Sequence, residues 1–201
     1  MKESFDIRGF FYQLNGLKCR KYLDIKRKTC TNGLPDLLVV MMNPGKSKPE
    51  NGVQCNGREA RAVADRTQHQ IMRLMCNCGF DYCRILNLSD VQEPNSGKLY
   101  ELLPELESRQ AMHSIFHPDR EKDLEALIIR GIPVIFAWGV HDSLTELARR
   151  ATEKIRTETV FGIKKEGAEF AYYHPLPPNY HKQQQWVKQI SKQLKNAKIP
   201  I

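Results

Sequence analysis

No apolar run in this 201-residue chain approaches the roughly 18 to 20 residues that a membrane-crossing helix needs. The first ten residues, MKESFDIRGF, place charges where a secretion signal would carry its apolar stretch. No membrane contact and no leader are therefore expected. The six cysteines, at 19, 30, 55, 76, 78 and 83, form no paired C-x-x-C motif, so neither a disulfide framework nor a standard metal pattern is read. Reduced thiols in a cytoplasm, no metal and no cofactor are the expectation. Repeats, low-complexity tracts and long linkers are lacking too, and with them any sign of a second domain. A single domain over residues 1–201 is expected, long enough to bury a core. A Walker-type phosphate loop and a G-x-G-x-x-G are also missing, which weighs against the common nucleotide enzymes.

What is present is an excess of positive charge. Thirty-one Lys and Arg against 23 Asp and Glu give a formal charge of +8. Such an excess favours polyanionic partners.

Apolar strands alternating with amphipathic helices predict a three-layer α/β/α fold with a central, mostly parallel sheet. Residues 37–42 read as a strand covered on both faces, and 82–88 and 132–138 as two more. Short strands are expected near 158–163 and 168–173. A polar strand within 19–29 is expected to turn at Thr31-Asn32-Gly33 and pair with 37–42. Residues 46–63 read as a long loop. Helices are expected from Asp65 to about Cys78, over 98–111, from Pro118 to Gly131, over 141–156 and at the C-terminus around Trp186.

Four of the expected strands end in polar signals: Asn43-Pro44-Gly45, Asn87-Leu88-Ser89-Asp90, Trp138-Gly139-Val140-His141, and His174-Pro175-Leu176-Pro177-Pro178. Each alone is ordinary turn chemistry. In a parallel sheet, however, successive strand ends fall on one edge, where sites of α/β proteins lie. Asp65 and Thr67 read either as a helix start or as a carboxylate group brought into that cleft. His141 either caps the next helix or faces a substrate.

The set MNPG, ILNL, FAWG and YHPLPPN, in that order over residues 37–181, resembles the uracil-DNA glycosylase superfamily, closest to its single-strand-selective and mismatch-specific branches. Residues 20–142 also resemble a bacterial family of uncharacterised proteins with an LNPS, D-x-T, NL and AWG-x-H pattern; here these are MNPG, Asp65-Arg66-Thr67, ILNL and AWGVH. The superfamily resemblance implies a glycosylase-like fold and a metal-free, monofunctional DNA glycosylase that acts on a flipped-out base. It implies that Asn43 orients a water, that His174 donates to the base carbonyl, and that Asn87 reads the base edge, with Met42 and Gly45 beside it. Phe80 and Tyr82 are expected as an aromatic wall, with Tyr172 and Tyr173 as further candidates. Lys46 and Ser47 are expected at the DNA backbone, and Leu176, Pro177, Asn179 and Tyr180 in a loop that displaces the nucleotide. Asp65, Thr67, Trp138 and His141 complete the candidates.

The expected substrate is uracil or a larger modified pyrimidine. A hydroxymethylated or glucosylated cytosine of phage DNA would make the protein a defence factor rather than a repair enzyme. The expected partner is DNA, bound by a monomer in a bacterial cytoplasm, at the nucleoid. Two alternatives remain: a non-catalytic nucleic-acid-binding module of the same fold, and an enzyme acting on free nucleotides.

Overall fold

The computed structural model describes residues 4–52, 57–157 and 160–197. They form a mixed α/β protein around one seven-stranded sheet of order β4-β1-β2-β5-β3-β6-β7. The strands are β1 (Phe5–Leu14), β2 (Leu17–Arg27), β3 (Leu37–Met41), β4 (Arg58–Arg61), β5 (Tyr82–Asn87), β6 (Val134–Phe136) and β7 (Val160–Phe161). The helices are α1 (Arg66–Cys78), α2 (Ser96–Ser108), α3 (Glu121–Glu125), α4 (Thr145–Lys154) and α5 (Tyr180–Asn196).

The sheet is parallel only in one half. Strands β5, β3, β6 and β7 run parallel to one another. Strands β1, β2 and β4 join antiparallel, and β2 meets β5 antiparallel. The expectation of a mostly parallel sheet thus fails for the N-terminal half. Strand β1 is not among the expected strands, although Phe5, Ile7 and Phe11 alternate inward along it. It folds back onto β2 at Asn15-Gly16, where both residues have positive φ (48° and 80°), the backbone of a tight hairpin turn. The expected pairing of the 19–29 strand with 37–42 does not form either. Asp36 takes the backbone N–H groups of Asp81 (2.8 Å) and Tyr82 (3.0 Å), which sets β3 beside β5 instead. Part of the expected 46–63 loop is β4, a short edge strand of charged residues that resists further pairing. Of the expected 158–163 strand, β7 holds two residues, and residues 158 and 159 lie outside the described set. The 168–173 segment makes only isolated bridges, through Tyr172.

Strand β3 shows why the sheet is layered. Leu37, Val39 and Met41 enter one apolar cluster, with α1 and α5. Leu38 and Val40 enter the other, with α2, α3 and α4. The period of two sends alternate side chains to opposite faces, and both faces are covered by helices. Helix α1 starts at a reciprocal capping box between Asp65 and Gln68 and stops at Gly79, in the left-handed conformation. No helix among the described residues is long and apolar enough to cross a membrane.

Candidate functional site

The parallel strands share one carboxyl edge. Pairing continues past it: Leu88 N–H donates to the Met41 carbonyl (2.8 Å) and Ser89 N–H to that of Met42 (3.0 Å). Asn43 and Asn87 are thereby held side by side. Tyr172 exchanges both backbone hydrogen bonds with Gly139, just past β6, which brings His174 to the same edge.

Asn43 is half-buried. Its Nδ2 donates to the carbonyls of Val91 (3.0 Å) and Glu93 (2.7 Å). That fixes the amide plane and leaves Oδ1 as the end able to accept from a water. Asn87 is fully buried. In the amide orientation that satisfies both ends, its nitrogen donates to the Asn43 carbonyl (3.2 Å) and its oxygen accepts from Arg20 Nη2 (3.3 Å). Asn87 therefore supports Asn43 here and is not open to a base edge.

Arg20 lies in the expected 19–29 strand but is not among the expected site residues. Its guanidinium is 1% exposed, and its Nε and Nη1 have no hydrogen-bond partner among the described residues. Burial lowers its pKa to about 10, against the opposing pull of Asp65 and Asp90, so it stays a cation at neutral pH. Asp65 is the cap that begins α1, and it also lies near Gly45. Its Oδ1 caps α1 by accepting from Thr67 and Gln68 N–H, its Oδ2 would lie 3.6 Å from a Cβ at Gly45, and its charge acts on both Arg20 and His174. Gly45 has φ +60°, which favours glycine there.

His174 is half-buried by accessible surface but densely surrounded by protein. Burial pushes its pKa down to about 4, against the opposing effect of Asp65. Its Nδ1 accepts from Leu176 N–H (3.1 Å). The neutral ring therefore carries its proton on Nε2, a donor with no described partner.

Asp90, beside this group, is sealed from solvent. Its Oδ2 accepts from Tyr12 Oη (2.8 Å) and Arg120 Nη1 (2.7 Å), while Oδ1 is unpartnered among the described residues. Burial raises its pKa to about 6 despite Arg120. Ser89 Oγ lies 3.0 Å from His113 Nδ1, and His113 Nε2 lies 2.8 Å from Glu107 Oε1, while Arg150 pairs with Glu107 Oε2. Burial lowers the His113 pKa, with Glu107 opposing. The row imitates a nucleophile–base–acid array, but Ser89 and His113 are 1% and 0% exposed, so substrate has no access. It braces the loop: Asp90 N–H donates to the His113 carbonyl.

The two shifted groups make a pH prediction. His174 titrates lower in the folded chain than its ordinary 6.5, so its contribution is present above pH 6.5 and lost as pH falls toward 4. Asp90 titrates higher than its ordinary 3.8, so its contribution is present below pH 3.8 and lost as pH rises through 6. The two oppose each other in one window. Relative to wild type, His174→Asn is expected to gain stability as pH falls from 6.5 to 4, and Asp90→Asn to lose it, each by roughly 3 kcal/mol. Urea titrations of the three proteins across pH 4–7 check both signs.

The other candidates divide. Met42 Sδ accepts from Tyr100 Oη (3.5 Å), and Tyr100 stacks on His141 with centroids 3.9 Å apart. This joins the ends of β3 and β6 at the rim. His141 also caps the turn Asp142–Leu144 through Ser143 N–H, and Thr67 sits half-buried in the first turn of α1. Lys46 is exposed, and Leu176 and Pro177 are half-buried. Asn179 caps α5 through Lys182 N–H, and Tyr180 is exposed. Three expectations fail. Tyr82 opens β5, about 16 Å from Asn87 at 3.3 Å per residue, and Phe80 precedes that strand. They cannot wall a base there; Phe80 is core, and Tyr82 Oη binds Asp24 (2.6 Å). Ser47 is buried, so it does not face a DNA backbone. Trp138 is core, packed on Phe136 and Tyr172, and its Nε1 donates to the Phe170 carbonyl.

A pocket of about 270 Å³ opens beside this edge between the Gly139–Thr145 and Ala168–Ala171 segments. Asn43, Asn87 and His174 do not line it.

The model of a family described as protein of unknown function (DUF1643) matches residues 24–176. The chain belongs to this family. The DUF1643 match covers Asn43, Asp65, Asn87, Asp90, His141 and His174, but not Arg20. No curated protein matches the chain, and no solved structure does.

Proposed function

We propose that the protein is a monofunctional DNA glycosylase with a uracil-DNA-glycosylase-like arrangement of its parallel strands, hydrolysing the bond between sugar and a flipped-out pyrimidine. The observation that carries this is the link from an oriented amide (Asn43) through Asn87 to a buried cation (Arg20), with Asp65 acting on both that cation and the neutral imidazole of His174.

Glycosidic cleavage develops positive charge on the sugar and negative charge on the departing base. A cation-like sugar needs a placed water more than a strong base, and Asn43 Oδ1 can hold one. His174 stays neutral at pH 7 and can donate from Nε2 to the base carbonyl as charge grows there, as an oxyanion hole does. Arg20 adds positive potential in a site of low dielectric. Asn87 ties Asn43 to Arg20, so the two ends of the reacting bond meet one rigid unit.

Oligonucleotides carrying uracil, 5-hydroxymethylcytosine or glucosylated hydroxymethylcytosine, single-stranded and duplex, test this. The expected result is strand scission only after alkali, at one of these bases, lost in Asn43→Ala. No abasic product from any substrate would sink it. The enclosure of Asn87 favours a second reading, a nucleic-acid-binding protein that keeps the fold without the chemistry. That version predicts salt-sensitive DNA binding unaffected by Asn43→Ala.

A further inference from the structure

We infer that the groove between α1 and α5 is a track for the sugar–phosphate backbone of a nucleic-acid strand leaving the candidate site. The groove has a volume of about 740 Å³ and is lined by Arg73, Lys188, Lys192, Lys195 and Tyr180, with amide side chains between them. Neither helix contains a single Asp or Glu. Among the described residues, no carboxylate pairs with any of the four cations; Arg73 meets only the Gln70 side-chain oxygen, at 3.2 Å. Lys188, Lys192 and Lys195 follow helical spacing down one side of α5. Uncompensated like charges this close repel one another, so the surface is electrostatically completed by a polyanion.

The groove is connected to the candidate site through the two helices that form it. Both helices begin at its edge: α1 at Asp65, and α5 directly after the His174–Asn179 loop. Gln183 locks the parts together. Its Nε2 donates to the Pro177 carbonyl (2.7 Å) and its Oε1 accepts from Gln70 (3.1 Å). Tyr180, 60% exposed, stands where loop and groove meet and offers a face on which a base can stack. From Tyr180 to Lys195 the track runs about 22 Å at 1.5 Å per residue, room for several nucleotides. A cation row with an exposed aromatic and neutral amides is the make-up of a single-strand platform. An acidic peptide would use the charge but not the aromatic. The inference takes its direction from the proposed function, yet it needs no catalysis.

The test is fluorescence anisotropy with unmodified 15-nucleotide strands and duplexes, containing no target base, across a salt series. The groove triple Lys188→Gln/Lys192→Gln/Lys195→Gln is compared with wild type and with Lys122→Gln/Lys164→Gln/Lys165→Gln, which loses the same charge at exposed positions elsewhere. The groove triple is expected to bind single strands at least about tenfold more weakly, with the slope of log affinity against log salt reduced by about 2, while the control triple keeps nearly wild-type binding. Equal binding by groove triple and wild type, equal loss in both triples, or displacement of the oligonucleotide by polyglutamate at lower concentration than by unlabelled DNA would each overturn the inference. Groove-dependent binding without base release from any substrate would remove the glycosylase proposal and leave the track standing.

Discussion

Arg120→Met is expected to destabilise the protein by about 3–5 kcal/mol, the cost of stranding a buried charge. Arg120 is nearly enclosed. Its Nη1 donates to Asp90 Oδ2 (2.7 Å) and to the Met112 carbonyl (3.2 Å) and lies 3.3 Å from Tyr12 Oη. Asp90 is fully buried, and without the guanidinium only the Tyr12 hydroxyl at 2.8 Å would still hold its carboxylate. Its pKa, already raised to about 6 by burial, would climb further. Urea denaturation at pH 7 measures the loss. The same substitution in an Asp90→Asn background should cost much less, because no charge is left behind. Equal costs in both backgrounds would mean that the pair does not act as a pair.

Arg20→Met is expected to do the reverse. This arginine is as buried as Arg120 but has no carboxylate at hydrogen-bond distance, and two of its nitrogens have no described partner. Replacing such a charge by an apolar side chain of similar length is expected to leave stability unchanged or raise it by about 1–4 kcal/mol. Under the proposed function, base release should fall by about 10-fold or more, because the sealed guanidinium acts on the departing base through its field and through Asn87 without touching it. Asn87 would also lose its acceptor role, so Asn43 would be less firmly set. A stable, folded and less active Arg20→Met protein is the expected outcome. A variant that unfolds, or one with full activity, would show that the cation is structural.

These two arginines also show what the sequence could disclose. Buried β3, the Asp65 cap, the Gly79 stop and amphipathic α4 and α5 were readable because each is a local pattern. Pairing partners were not. Residues 31–33 look like a hairpin turn, yet β2 is an inner strand between β1 and β5. That position buries Arg20, which in a run as basic as CRKYLDIKRK reads as solvent-facing. The β1–β2 hairpin did carry a usable signal in Asn15-Gly16, between alternating apolar positions. Asn43 stands out in one dimension because it follows an apolar strand, and Asp65 because it opens a helix; His174 follows a segment that makes only isolated bridges. Phe80 and Tyr82 were misplaced because nearness to Asn87 in sequence is distance along a strand. Arg120 and Tyr12 reach Asp90 from 30 and 78 residues away, separations that no local pattern bridges.

The most direct test of the proposed function does not depend on the identity of the base. An oligonucleotide carrying a cationic pyrrolidine in place of one sugar imitates the charge that glycosidic cleavage builds there. It is predicted to bind wild type at least about 100-fold more tightly than the same strand with an ordinary sugar, with the advantage lost in Asn43→Ala while ordinary-strand binding persists. Equal affinity for the two strands would contradict a site built around an ionising sugar.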